Sequence, residues 1–203
     1  MNVILLNPPA KKLFLRDQYC SFTSKSNYYW PAIDLLVQSG IMASKHHVSV
    51  IDAIVNKLDI DECMKAICEN YPDLILCVTG ISSFITDFVF LEDIKQRLNT
   101  LVFVTGGFLL SEYEAILKEY EFIDGVLLDF SSNALLKFLD GESFIKDLAY
   151  RQNGEIFAVR SQYNEMQYPI PKHELFNLAK YRLPHGKSKL FSCMITNFGC
   201  PYN

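Results

Sequence analysis

The chain has 203 residues, half of them hydrophobic, which suits one generous domain or a domain with an appendage. A charged fraction of 21% and a formal net charge of −4 exclude a disordered chain and argue against a nucleic-acid partner, because Lys and Arg form no basic stripe. No apolar stretch reaches the ~18 residues of a membrane span, and "MNVILLNPPAKK" lacks the basic opening of a secretion signal, so a cytoplasmic protein is expected.

Five short apolar runs predict buried strands: Val3 to Leu6, Val48 to Ile51, Leu74 to Val78, Leu101 to Val104 and Gly125 to Leu128. They are apolar at consecutive positions, as strands covered on both faces are. Helical spacing fills the gaps. Ile33, Leu36, Val37, Gly40 and Ile41 form one stripe, with Pro31 just ahead of it. Ile60, Cys63, Met64 and Ile67 form a second. Phe84, Phe88, Leu91 and Leu98 form a third, with Ser82 or Ser83 as its cap. Leu110, Tyr113 and Leu117 make a fourth, where Ser111 and Glu114 are spaced for a capping box. Leu135, Leu136 and Leu139 make a fifth, starting near Ser131 or Ser132 and stopped by Gly141. The alternation predicts an α/β fold of flavodoxin-like or Rossmann-like kind: a parallel five-stranded sheet, order 2-1-3-4-5, with helices on both faces.

After Gly141 the pattern changes. "LAYRQNGEIFAV" predicts a β-hairpin turning at Asn153-Gly154. Pro169, Pro171 and Pro184 then mark a linker strap, and Leu190 to Ile195 predicts a further strand. Six cysteines (Cys20, Cys63, Cys68, Cys77, Cys193 and Cys200) contain no C-x-x-C pair and are expected to be reduced; Cys200 alone sits in a loop of metal-ligand style.

Folds of this class bind ligands beyond the carboxyl ends of the strands, near the switch point between strands 1 and 3. The loop after strand 1 opens with Pro8 and Pro9, is long, and carries Tyr28, Tyr29 and Trp30. It reads either as a functional loop or as an ordinary surface excursion. "VTGISSFITD" offers Thr79, Gly80, Ser82 and Ser83 as a cradle for a polar tail or as a helix cap. "VTGGFLLS" places Gly106 and Gly107 where either a ligand approaches or the chain turns tightly. No G-x-G-x-x-G string occurs, which counts against a dinucleotide site; Asp52, at the end of strand 2, could hold a ribose or simply end the strand. In "LDFSSN", Asp129, Ser131 and Ser132 could bind a ligand or cap the next helix.

The strings "VILLNPP", "VSVIDA", "PDLILCVTGIS", "VFVTGGF", "YRQNGEI", "PIPKHELF" with "YRLP", and "TNFGCPYN" occur in this order. Together they resemble the N-terminal half of cobalamin-binding radical S-adenosylmethionine enzymes, a group that includes anaerobic magnesium-protoporphyrin ester cyclase-like proteins and several methyltransferases. The resemblance implies a cobalamin-binding Rossmann-like domain at 1–141, a hairpin and linker strap at 142–189, and the first strand of a radical S-adenosylmethionine barrel at 190–203. It also implies that Cys200 is the first of three thiolates in a C-x-x-x-C-x-x-C loop that holds a 4Fe-4S cluster, so that the chain is a truncated piece whose partner is its own C-terminal barrel.

By the same resemblance Asn7 and Pro8 lie under the corrin ring. Ser82, Ser83, Gly106 and Gly107 match the seat of the nucleotide tail, with Thr79, Phe108, Asp129 and Ser131 grouped around it. Two strings depart from the family pattern. The D-x-H-x-x-G loop reads Asn7-Pro8-Pro9 without a histidine, and the G-E-x-E string after strand 5 reads "DFSSN". The expected function is cobalamin binding within an enzyme of methyl transfer or oxidative cyclisation that uses S-adenosylmethionine and the cluster. The alternative is a cofactor-free recognition or docking domain of the same kind of enzyme. An unrelated flavodoxin-like nucleotide or receiver domain is a third reading, opposed by the lack of an acidic cluster after strand 1.

Overall fold

A computed structural model describes residues 1–26, 28–161, 168–188 and 190–195. In chain order the elements are β1 (Asn2–Asn7), β2 (Phe14–Arg16), β3 (Ser21–Thr23), α1 (Ile33–Met42), β4 (His47–Asp52), α2 (Ala53–Asn56), α3 (Ile60–Glu69), β5 (Leu74–Val78), α4 (Phe84–Arg97), β6 (Leu101–Thr105), α5 (Leu109–Glu119), β7 (Gly125–Leu127), α6 (Ala134–Leu139), β8 (Leu148–Gln152) and β9 (Glu155–Val159). A 3-10 turn follows at His173–Leu175.

The main sheet runs β4-β1-β5-β6-β7-β8-β9. Its first five strands are parallel and stand in the expected 2-1-3-4-5 order. The hairpin does not stand apart. β8 pairs antiparallel with β7, so the hairpin extends the sheet to seven strands. Asn153 (φ 53°) and Gly154 (φ 83°) supply the two positive φ values that the tight turn demands.

Consecutive apolar residues in the strands feed two cores, one on each face. Val3 and Leu5 of β1, Leu74 and Leu76 of β5, and Phe103 of β6 join α1 and α6. Ile4 and Leu6, Ile75 and Cys77, and Val102 and Val104 join α3, α4 and α5. Cys63 and Cys77 are buried reduced thiols, and burial pushes the Cys63 thiol up to about 12. Among the described residues no helix is long and apolar enough to cross a membrane.

Helix α1 is buried from Asp34 to Met42, because the strap crosses its outer side. A Cβ built on Gly40 would lie 2.7 Å from the carbonyl oxygen of Pro169 and 2.6 Å from that of Ile170, and the Lys172 N–H donates to Ser39 Oγ at 2.9 Å. The strap then buries Phe176 and Tyr181 against the same core.

Several local expectations change. Ser83 stands at the start of α4 but makes no side-chain cap; its hydroxyl donates to Asp87 instead. Helix α5 starts at Leu109, ahead of Ser111, so no Ser111–Glu114 box forms and the Ser111 hydroxyl donates to Phe108 O. Residues 190–195 form no paired strand. Phe191, Cys193 and Ile195 pack on the core while Leu190 and Met194 are exposed, so the strand-like alternation is present without a ladder.

Candidate functional site

The carboxyl ends of β4, β1, β5 and β6 share one rim, and the long loop after β1 folds back over it as the β2–β3 hairpin. Pro8 and Pro9 end β1 because they cannot donate to its ladder. The turn of the hairpin is stapled by Asp17, whose Oδ1 accepts the Tyr19 and Cys20 N–H groups at 2.8 and 2.6 Å and whose Oδ2 accepts the Trp30 indole N–H at 3.2 Å. Burial raises the Asp17 carboxyl, and these hydrogen bonds oppose the rise.

Arg16 points from the hairpin into the rim, and its side chain is fully buried. Nε donates to Ser83 Oγ (2.9 Å) and Asp87 Oδ2 (3.0 Å), and Nη2 to Asp87 Oδ1 (2.7 Å). Nη1 donates to Asn7 Oδ1 (2.9 Å) and Pro8 O (3.1 Å). Asp87 also accepts the Thr79 and Ser83 hydroxyls at 2.8 and 2.7 Å. On the other side Asn7 Nδ2 donates to Asp52 Oδ1 at 2.9 Å, and the Tyr181 hydroxyl donates to Asp52 Oδ2 at 2.9 Å. A buried polar chain therefore runs from the strap through Tyr181, Asp52, Asn7 and Arg16 to Asp87 on α4. Burial raises the Asp52 and Asp87 carboxyls, opposed by their hydrogen bonds and by the Arg16 charge. Such a satisfied network fixes geometry; it offers no free group for chemistry.

The sequence-derived site residues gather at this rim; most of them face the protein, while Ser82 is exposed and lines, with Ser83, the open groove beside it. Asn7, Pro8, Thr79 and Ser83 are tied to Arg16 or Asp87. A Cβ on Gly80 would meet Ser21 Oγ at 2.0 Å, one on Gly106 would meet Thr79 O at 2.1 Å, and one on Gly107 would meet Gln18 O at 2.2 Å. The glycines admit the hairpin tip and the neighbouring strand end rather than a guest. Ser82 Oγ reaches Ser21 O at 3.4 Å. Phe108 packs on Phe84 at 5.2 Å between ring centres. Asp129 accepts the Ser131 N–H and hydroxyl, both at 2.7 Å, closing its own turn. Tyr19 stands edge-on to the buried Phe130 at 6.1 Å. Cys200 lies outside the described residues. The place that the sequence resemblance assigns to the cobalamin tail is in contact with Gln18, Ser21 and Arg16 of the hairpin in this structure.

Arg16, Asp34, Asp87 and Tyr181 are absent from the sequence-derived site. Asp34 shares a helical face with Val37 and Ile41, and Asp87 shares one with Phe84 and Leu91, so an acid on each buried stripe was the available signal. Asp34 Oδ1 accepts the Gln18 N–H at 3.1 Å, while its Oδ2 is buried without a partner. Burial first, then the nearby Asp17 and Asp129, push its carboxyl up to about 7.

One part of the rim stays open. A groove of about 1170 Å³ runs between the 9–14 loop, α2 and the start of α4. Phe14, Ile54, Leu58, Ile81, Phe84 and Ile85 make it mainly apolar, and Lys11, Lys12 and Lys57 stand along it. It lies beside the switch point between β1 and β5, where folds of this class bind ligands. Among the described residues no group of three or more His, Cys, Asp or Glu could hold a metal ion.

No protein-family model matches the chain, and no curated protein matches it. Solved structures do. The radical S-adenosylmethionine methyltransferase TsrM from Kitasatospora setae, with cobalamin and a 4Fe-4S cluster bound, matches with a TM-score of 0.56 and 14% identity, over 94% of this chain and 36% of that one. The same enzyme with its tryptophan substrate and an S-adenosylmethionine analogue (aza-SAM) bound matches with a TM-score of 0.57 and 16% identity over the same shares. The chain thus spans about a third of the length of these structures. What it shares with them at such identity is the Rossmann-like α/β fold.

Proposed function

We propose that this chain is the N-terminal Rossmann-like module of a radical S-adenosylmethionine enzyme of the cobalamin-binding type, and that it serves there as a recognition and docking module with its cofactor seat closed. The observation that carries this reading is the Gln18 carbonyl over Gly107, with Arg16 locked to Asp87 beneath it. A bulky tail and this hairpin cannot occupy one place. The open groove beside the switch point is then the face turned to the catalytic remainder of the enzyme, with exposed Ile81 and Ile85 as its apolar contacts. The parent would carry out methyl transfer or oxidative cyclisation with S-adenosylmethionine and a 4Fe-4S cluster, for which Cys200 would supply the first thiolate. The boundaries 1–141, 142–189 and 190–203 belong to the same proposal.

The test is to mix the purified chain with hydroxocobalamin and desalt it. Colourless protein is the expected result. A red chromophore retained near one equivalent at neutral pH overturns the closed seat. A second reading, cobalamin entry after the hairpin swings out, is favoured by the unpartnered Oδ2 of Asp34 under the hairpin tip. It requires retention that appears as pH rises above about 7, where Asp34 ionises.

A further inference from the structure

Two neighbouring residues of the strap reach the β2–β3 hairpin by separate routes. The first is the buried polar chain. Tyr181 donates to Asp52, Asn7 donates to the same carboxylate, and Arg16, at the end of β2, donates to Asn7. The second is an isolated antiparallel bridge. The Arg182 N–H donates to Tyr29 O and the Tyr29 N–H to Arg182 O, both at 2.8 Å. Tyr29 lies on the return from β3 to α1, and the next residue, Trp30, donates its indole N–H to Asp17 Oδ2. Residues 181 and 182 of the strap thus end on residues 16 and 17 of the hairpin. The gap left between Asn7, Arg16, Tyr29, Trp30, Asp52 and Tyr181 is about 10 Å³, the size of one water. Neither route can shift far without pressing on the other.

We infer that Tyr181 and Arg182 are a latch: the seated strap holds the β2–β3 hairpin over the rim, and release of the strap frees the hairpin. The inference rests on the closed seat proposed above, for which it supplies the opening device. Tyr181 is 1% exposed, whereas residues 182–188 are all exposed, so a movement of that exposed stretch reaches the latch first. Withdrawing the Tyr181 ring opens a path for water to Asp52, Asn7 and Arg16. Hydration then favours separated charged groups over their buried pairing. The polar chain is satisfied as a unit, so the loss of one member leaves the others underpaired. Strap and hairpin therefore open as one cooperative segment while the sheet stays folded.

Amide hydrogen exchange on the whole chain, read residue by residue without any cofactor, tests the latch. The Tyr19 and Cys20 amides, which donate to Asp17 Oδ1, report on the hairpin, and the Arg182 amide reports on the strap. Tyr181→Phe should quicken exchange at Tyr19 and Cys20 by about fivefold or more, as well as at Arg182. Coupling of this kind is reciprocal. Gly107→Ala, whose methyl presses on Gln18 rather than on the strap, should quicken Arg182 by a similar factor. Arg16→Lys replaces it if that variant fails to fold. The Ser161 amide, held by Asp147 Oδ1 at 2.8 Å, belongs to neither route and should keep its wild-type rate throughout. Tyr181→Phe quickening Arg182 alone, a hairpin variant leaving Arg182 unchanged, or equal acceleration at Ser161 overturns the latch. Retained hydroxocobalamin would overturn the closed seat, whereas these rates judge the latch alone, so the two failures are distinguishable.

Discussion

Arg16 and Asp87 lie 71 positions apart in sequence and meet as a two-pronged ion pair, 3.0 Å from Nε to Oδ2 and 2.7 Å from Nη2 to Oδ1, with neither side chain exposed. Removing one partner of such a pair leaves a buried charge without compensation, at a cost of about 3–5 kcal/mol. Arg16→Met should therefore lower the unfolding free energy by that order in urea titration. Arg16→Lys keeps the charge without the planar fork and should fall between the two. A loss below about 1 kcal/mol for Arg16→Met would mean that the pair does not hold the rim closed.

Asp34 gives a pH dependence with a defined sign. Its folded-state pKa, about 7, lies above its ordinary 3.8, so the folded state keeps the proton longer than the unfolded chain does. Stability from this group is full below about pH 4, declines as pH rises toward 7, and is flat above. At about 1.36 kcal/mol per pKa unit, the loss is on the order of 4 kcal/mol. Asp34→Asn keeps the acceptor for Gln18 and should remove this slope, leaving the variant more stable than wild type at pH 8. Equal urea midpoints at pH 5 and pH 8 in the wild type would contradict the assignment.

Gly107 has no room for a side chain. Gly107→Ala places a methyl against the Gln18 carbonyl and should displace the hairpin tip, with a cost of about 1–3 kcal/mol. Limited proteolysis should then cut within residues 17 to 20, which the wild type protects through the hydrogen bonds of Asp17.

Gly40 reverses a common expectation. Gly→Ala inside a helix ordinarily stabilises by about 0.5–1 kcal/mol. Here the new methyl meets the strap carbonyls of Pro169 and Ile170, so Gly40→Ala should destabilise and raise amide exchange at Lys172.

Tyr181→Phe is a milder test of the same attachment. It removes the hydroxyl donor to the buried Asp52 Oδ2, an expected loss of about 1–3 kcal/mol. Exchange should quicken at the Arg182 amide, which donates to Tyr29 O at 2.8 Å.

The parallel sheet was legible because Val3–Leu6, Leu74–Val78 and Leu101–Val104 are apolar at every position, and only a sheet with two covered faces needs that. Asn153-Gly154 announced its hairpin equally plainly, but nothing local could say that β8 would continue the sheet beside β7. The positions of Thr79, Ser83, Gly106 and Gly107 at the rim were also readable, since they follow directly on strands. Their partners were not. Whether a glycine leaves a space for a ligand or for the chain itself depends on contacts between residues 18 and 107, a separation at which one sequence carries no pairing signal. Arg16 escaped notice for the same reason: beside Leu15 and Asp17 it looks like any surface arginine, and only Asp87 makes it an interior one.

The hairpin over the rim is tethered at both ends, by the stretch from Pro9 to Phe14 and by the chain from Thr23 to α1. A small molecule seeking the same place competes with a segment that never diffuses away. Were the closed form favoured a thousandfold, a guest with an intrinsic Kd of about 1 μM would show an apparent Kd of about 1 mM. Occupancy would then be set less by the fit of the seat than by whatever else in the cell draws residues 14 to 23 aside.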